Sequence, residues 1–186
     1  MPTPESLKIE AARVFPGELP EFEDQKASSA AAAGSTPLPD GSAPLIVVDT
    51  NVVLDIVYWK NPQALPILEA LRSGRLIAAV DLDAALELAE VLSREKFGLA
   101  PEEALARWRE WMALCRPVAK TAVRRAAEAC EVRCRDPLDQ KFLVLALAAG
   151  AAAIVTRDKL VLKAGRAMMK RYGIAALSPS AALERL

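Results

Sequence analysis

The chain has 186 residues, 53% of them hydrophobic, with 24 basic and 24 acidic side chains and no histidine. This length suits one domain plus an appendage, and zero net charge excludes a global basic field, so any contact with nucleic acid must be local. Without histidine the commonest general base and the Ser-His and Cys-His nucleophile pairs are gone, which leaves carboxylates with a metal as the leading catalytic option.

No apolar run reaches the roughly 18 to 20 residues that cross a bilayer, and charges interrupt each candidate, so no membrane association is expected. Residues 1–10 carry acids and lack an apolar core, which gives no secretory signal and points to a cytoplasmic protein. Cys115, Cys130 and Cys134 are an odd set that fits reduced thiols packed as small hydrophobes. Cys130 and Cys134 would share a helix face, but a structural zinc site lacks its remaining ligands.

Residues 1–44 are rich in Pro, Ala, Ser and Gly and carry an acidic cluster at Glu18, Glu21, Glu23 and Asp24. With little to bury, they are expected to form a disordered tail or linker. Within them, 7–15 has near-helical spacing suited to docking on a partner. Residues 45–186 form the expected domain. The apolar run 45–48 reads as a buried parallel strand with Asp49 at its carboxyl end, where ligands bind in open α/β sheets. Helices follow at 51–59 and 62–71, then a strand at 76–80, Asp81, and a helix at 83–94.

Pro101 opens the next helix, with Glu102 and Glu103 at its positive end. Leu105, Trp108, Trp111 and Met112 share a face at helical period and read as core. Residues 118–132 fit a short strand followed by a helix. Asp136 is the expected N-cap of an apolar helix over 138–149, with Pro137 at the first position and Gly150 closing it in the left-handed conformation. A strand at 153–156, a helix at 160–171, a strand at 174–177 and a short last helix complete the pattern. Strands alternating with helices predict a three-layer α/β/α sandwich around a mostly parallel sheet.

Asp49, Asp81 and Asp158 each follow a strand, while Glu87 and Asp139 lie on helices starting near the same sheet edge. Clustered carboxylates raise one another's pKa unless a cation is present, and oxygen-only ligands favour Mg²⁺ or Mn²⁺. Taken singly, each acid reads better as a helix cap or a solvated side chain than as a ligand. Their joint placement favours a metal site.

The stretch VVDTNVVLD at 47–55 resembles the opening strand and loop of PIN-domain nucleases. LELAEVLSR at 86–94 is similar to the family's central helix, and RDPLDQKFLVLALAAGAAAIVTRDKLVL at 135–162 to its third segment, an aspartate-led apolar helix before a strand ending in Thr-x-Asp. The resemblance covers about 45–186. It implies that Asp49, Glu87, Asp139 and Asp158 are catalytic and hold Mg²⁺ or Mn²⁺. Asp136 is a fifth contributor or only a helix cap, and Thr50, Asn51 and Thr156 are supporting residues. Asp81 matches none of the family's acids, and Glu90, one turn beyond Glu87, is the alternative if the helix register differs.

Arg157, Lys159, Lys141 and Arg94 flank this expected pocket and are candidates for phosphate contact, or simply surface charges. The resemblance further implies an endoribonuclease similar to the toxin components of bacterial toxin-antitoxin pairs, acting on RNA, forming a homodimer and held inactive by a small antitoxin protein. The alternative is a non-catalytic scaffold of the same fold that binds RNA or protein. A phosphatase of the haloacid-dehalogenase type also begins with a strand-terminal aspartate, but it needs a second aspartate where Asn51 stands.

Overall fold

Four apolar residues, Leu45–Val48, form β1, and the neighbours they pair with set the whole architecture. The computed structural model describes residues 10, 13–15 and 43–186, so most of the tail expected over 1–44 lies outside the described residues. The elements that follow β1 are α1 (Thr50–Val57), α2 (Leu65–Arg72), β2 (Ile77–Val80), α3 (Leu82–Leu92), α4 (Pro101–Met112), β3 (Cys115–Pro117) and α5 (Lys120–Ala129). Then come α6 (Gln140–Ala149), β4 (Ala153–Val155), α7 (Lys159–Tyr172), β5 (Ala175–Leu177) and α8 (Pro179–Arg185).

The sheet order is β3-β2-β1-β4-β5, and every pairing is parallel. Because successive strand residues point to opposite faces, the sheet feeds two separate cores. Ile46, Val48, Ala78, Val80, Ala153 and Val155 join α1–α4 and α8 on one side. Val47, Ala79 and Ile154 join α5, α6 and α7 on the other. The result is the expected three-layer sandwich, and the short, almost wholly apolar strands are those of a sheet covered on both faces. Among the described residues no helix is long and apolar enough to cross a membrane.

Trp108, Trp111 and Met112 lie in the first core as the helical period predicts, and the Trp108 indole donates a 2.9 Å hydrogen bond to the Ala85 carbonyl of α3. Cys130 and Cys134 are buried free thiols in the second core, and Cys115 is a half-buried free thiol. Burial pushes the Cys115 thiol far up, so it stays protonated. Glu10 pairs with Arg109 of α4 at 3.0 Å, and Phe15 packs against the first core.

Two expectations are corrected. The strand expected at the start of 118–132 lies earlier, at Cys115–Pro117, where it pairs with Ala78–Val80 as an edge. Asp136 caps not a long helix but a 3₁₀ turn, Pro137–Asp139, and α6 begins at Gln140.

Gly165 lets α7 run close against β5. A Cβ there would collide with the side chain and backbone of Ala176 on β5. In an exposed helix interior, exchange of glycine for alanine stabilises by about 1 kcal/mol; here Gly165→Ala is expected to destabilise by about 1–3 kcal/mol through overpacking. Urea unfolding followed by circular dichroism checks the sign.

Candidate metal centre

The chain builds outward from β1 to β2 and β3, then returns across β1 to add β4 and β5. The strand order therefore reverses between β1 and β4, and the carboxyl ends of such neighbouring strands splay to leave a crevice. Asp49 follows β1, and Thr156 and Asp158 follow β4. The Asp49 amide bonds the Val155 carbonyl at 3.0 Å, which locks the two strand ends together.

Asp49 is only 4% exposed and is held on all sides. Thr156 Oγ1 donates to its Oδ2 at 2.5 Å, Asn51 Nδ2 donates to the same oxygen at 2.7 Å, and the Asn51 amide reaches Oδ1 at 3.2 Å. The Asp158 amide donates to Thr156 Oγ1 at 2.9 Å, and the Arg157 amide reaches Asn51 Oδ1 at 3.3 Å. A network thus ties the β1 and β4 loops, and it orients the carboxylate before anything binds. Burial raises the Asp49 pKa, and the charges of Glu87 and Asp158 add to the rise while these hydrogen bonds oppose it.

Asp158 caps α7 through Oδ1, accepting from the Leu160 and Val161 amides at 2.6 and 3.2 Å. Its Oδ2 has no hydrogen bond among the described residues, so capping leaves one oxygen of the side chain uncommitted. Glu87, on α3, accepts from Thr50 Oγ1 at 2.7 Å and from Lys141 Nζ at 2.8 Å, both at Oε2. Asp139 is the residue from which α6 starts, and its carboxylate makes no cap hydrogen bond. Its pKa rises to about 6, first through desolvation and then through the charges of Asp49, Asp158, Asp136 and Glu87. The charges of Asp49, Asp158 and Glu87 are thus all felt at Asp139.

The other candidates are sorted by their partners. Asp136 spends Oδ1 on the Leu138 amide at 2.9 Å, which is a cap contact. Asp81 is buried and caps α3 at the Ala84 amide. Glu90 and Arg94 pair with each other at 3.2 Å on exposed side chains. Lys159 is exposed at the start of α7. Arg157 reaches Asp55, Nη1 to Oδ2, at 3.0 Å, although the approach is too oblique for that oxygen to count as hydrogen-bonded.

Asp55 is the residue that sequence reasoning missed. It is 3% exposed, and an ionised carboxylate buried so deeply needs a partner. The signal was present in VVLDIV, where one acid interrupts the apolar run of α1. Its partner lies a hundred residues away and has no sequence signature.

Among the described residues no three acidic or thiol side chains close on a common point as they stand. The arrangement is an open rim of carboxylates. Its chemistry fits a hard divalent cation: the donors are all oxygen, and burial together with the charges of its neighbours holds the Asp139 pKa up at about 6. Asp49, Asp139, Asp158 and Glu87 are the residues that would hold such an ion. Because Asp139 must lose a proton first, Mn²⁺ affinity is expected to climb between about pH 5 and pH 7 and then level off, a trend that calorimetric titration reads directly. By linkage, this group favours the metal-free fold below the ordinary value of 3.8, and that contribution is lost as pH rises through about 6.

A parallel α/β sandwich with an acidic rim at its strand-order reversal defines the class of protein. The model of the PIN-domain family matches residues 45–160, and the chain belongs to that family. A search of curated proteins finds no match. Among solved structures, VapBC2 from Rickettsia felis, bound to a DNA fragment from its promoter, matches with a TM-score of 0.50. The match has 13% identity and covers 71% of this chain and 96% of that one, a likeness of fold.

Proposed function

We propose that the protein is a divalent-metal-dependent endoribonuclease that hydrolyses RNA phosphodiester bonds at Asp49, Glu87, Asp139 and Asp158. The observation that carries the reading is the buried Asp49 carboxylate at the β1/β4 crevice, whose charge, with those of Asp158 and Glu87, adds to the desolvation that lifts Asp139 to about 6. When bound, Mg²⁺ or Mn²⁺ would supply an activated water and neutralise charge on the scissile phosphate. Hydrolysis would then join the water's hydroxide to phosphorus, break the bond from phosphorus to the 3′-oxygen and leave the proton on that oxygen, giving a 5′-phosphate and a 3′-hydroxyl.

The chain's own residues supply position. Thr156 and Asn51 hold the Asp49 carboxylate, Thr50 holds Glu87, and the α7 amides hold Asp158. No side-chain general base is required, in keeping with the absence of histidine. Of the cations expected to meet phosphate, Lys159 is exposed, Arg157 is half exposed at the rim, and Lys141 is engaged by Glu87.

Full-length protein incubated with structured and unstructured RNA is expected to cleave in Mn²⁺ or Mg²⁺ and to stop when EDTA is added. Absence of cleavage in both metals sinks the reading. A non-catalytic scaffold has one observation in its favour, the open spacing of the acids. Calorimetry separates the two, since a scaffold binds Mn²⁺ weakly and is indifferent to Asp158→Asn.

By its family the protein is further proposed to act in the cytoplasm as the toxin of a toxin-antitoxin pair, as a homodimer restrained by a small antitoxin. Exposed Trp59, stacked edge-on with Tyr58, and Leu138, 78% exposed between Asp136 and Asp139, offer apolar surface for such contacts.

A further inference from the structure

The zero net charge of the chain hides a division between its two helical layers. Residues 115–173, which include α5, α6 and α7 of the second layer, hold 13 of the 24 basic side chains and 5 of the 24 acidic ones. The excess is concentrated on α7, which has no acidic residue at all. On that helix Lys159, Lys163, Arg166 and Lys170 follow at intervals of four, three and four residues, the spacing that stacks side chains into one row. Val161, Gly165 and Met168 form the buried face of α7, and the row stands opposite them with all four cations exposed. At a rise of about 1.5 Å per residue it runs roughly 16 Å along the surface.

Helix stability does not account for this row. Exposed arginines of the first layer are paired with acids: Arg72 with Glu110 at 3.0 Å, Arg94 with Glu90 at 3.2 Å and Arg109 with Glu10 at 3.0 Å. Among the described residues no acid pairs with any of the four cations of the row. Like charges one turn apart weaken a helix. Lys159, as the first residue of α7, also stands at the positive end of the helix dipole, where a cation is unfavourable. A polyanion laid along the row would remove both costs.

The place of the row selects the polyanion. Asp158 caps α7, so the row begins at the β1/β4 crevice and leads away from it, and half-exposed Arg157 adds a cation at the same end. A nucleic acid strand carries a negative charge on every nucleotide, and a straight row of cations matches such a backbone better than any compact anion. We propose that Lys159, Lys163, Arg166 and Lys170 form a track for the phosphate backbone of single-stranded RNA, holding the strand that extends from the crevice. Because its contacts are to phosphate, the track contributes affinity and position without reading sequence. The inference rests on the nuclease reading above for its choice of RNA.

The test is binding of fluorescently labelled single-stranded RNA to full-length protein in EDTA, where metal-dependent cleavage cannot consume the probe, read by anisotropy over a range of salt concentrations. The triple variant Lys163→Gln, Arg166→Gln, Lys170→Gln is expected to bind at least about tenfold more weakly than the parent. Its plot of log affinity against log salt is expected to be shallower by about 2, since each phosphate contact on a single strand contributes a slope of about 0.7. Glutamine is as good a helix former as lysine or arginine, so the variant is expected to fold, which a circular dichroism melt checks. Arg72→Gln, Arg75→Gln, Arg185→Gln removes the same charge from the first layer and is expected to bind within about twofold of the parent, because the attraction is local. A folded α7 variant that binds like the parent, equal losses in both triple variants, or no binding by the parent overturns the inference. Binding of poly-glutamate in place of RNA assigns the row to an acidic protein and overturns it as well. Cleavage in Mn²⁺ is scored separately: RNA held through α7 but never cut overturns the nuclease reading alone, and RNA cut equally well by parent and α7 variant overturns the track alone.

Discussion

Asp49→Asn is expected to lower RNA cleavage by at least about a hundredfold while leaving the fold intact. The lower bound follows from scale: loss of a residue that merely orients a metal ligand commonly costs 10- to 100-fold, and Asp49 is argued here to be a ligand itself. The fold should survive because asparagine is as good an N-cap as aspartate, and the Asn51 amide that Asp49 accepts is a cap contact. The exchange also removes a carboxylate that burial penalises. A circular dichroism melt within a few degrees of the parent protein, paired with lost cleavage, is the expected outcome. Undiminished cleavage by a folded variant would remove Asp49 from the site. If the melt collapses, Asp158→Asn asks the same question from the other loop.

Trp108→Ala is expected to have the largest effect on stability. The side chain is 1% exposed and lies among the largest fully buried groups of the first core, and truncation of a buried tryptophan or phenylalanine costs about 3–5 kcal/mol. For a domain of this size that corresponds to a fall in Tm on the order of 10 °C. Trp108 also joins two helices, since its indole bonds Ala85 on the helix that carries Glu87. Trp108→Phe keeps most of the volume and loses only this bond, so about 1 kcal/mol is expected. Urea unfolding of both variants separates packing from hydrogen bonding. Equal effects would mean that the bond, and not the volume, holds α4 to α3.

The architecture was readable wherever one segment carries its own pattern. Leu45–Val48 is a run of β-formers that ends abruptly at an acid, and it became the central strand. Gly150 and Gly173 close their helices with positive φ, as their positions after apolar periodic runs require. The acids after β1 and β4 were legible for the same reason, because the polarity change marks the end of a buried strand. For Asp158 the cap is observed, since Oδ1 accepts the Leu160 and Val161 amides and leaves Oδ2 without a hydrogen bond among the described residues.

Other features have no local signature. The edge strand Cys115–Pro117 holds a charge and a proline and is partly exposed, and nothing but its register against β2 makes it a strand. The boundary of α6 moved because Asp136 caps a tight 3₁₀ turn that ends at Asp139, from which α6 starts without a side-chain cap. Arg157 was expected to face phosphate but is also drawn to Asp55, and Lys141 is drawn to Glu87.

Residue order alone was thus enough for the alternation of strands and helices and the resemblance to PIN nucleases, because hydrophobic periodicity and capping act over a few residues. Which cation sits against which carboxylate, and how far those carboxylates stand apart, arose with folding. Such pairings join residues such as Asp55 and Arg157, and their strength depends on burial and distance, which exist only once the sheet has closed between its helices.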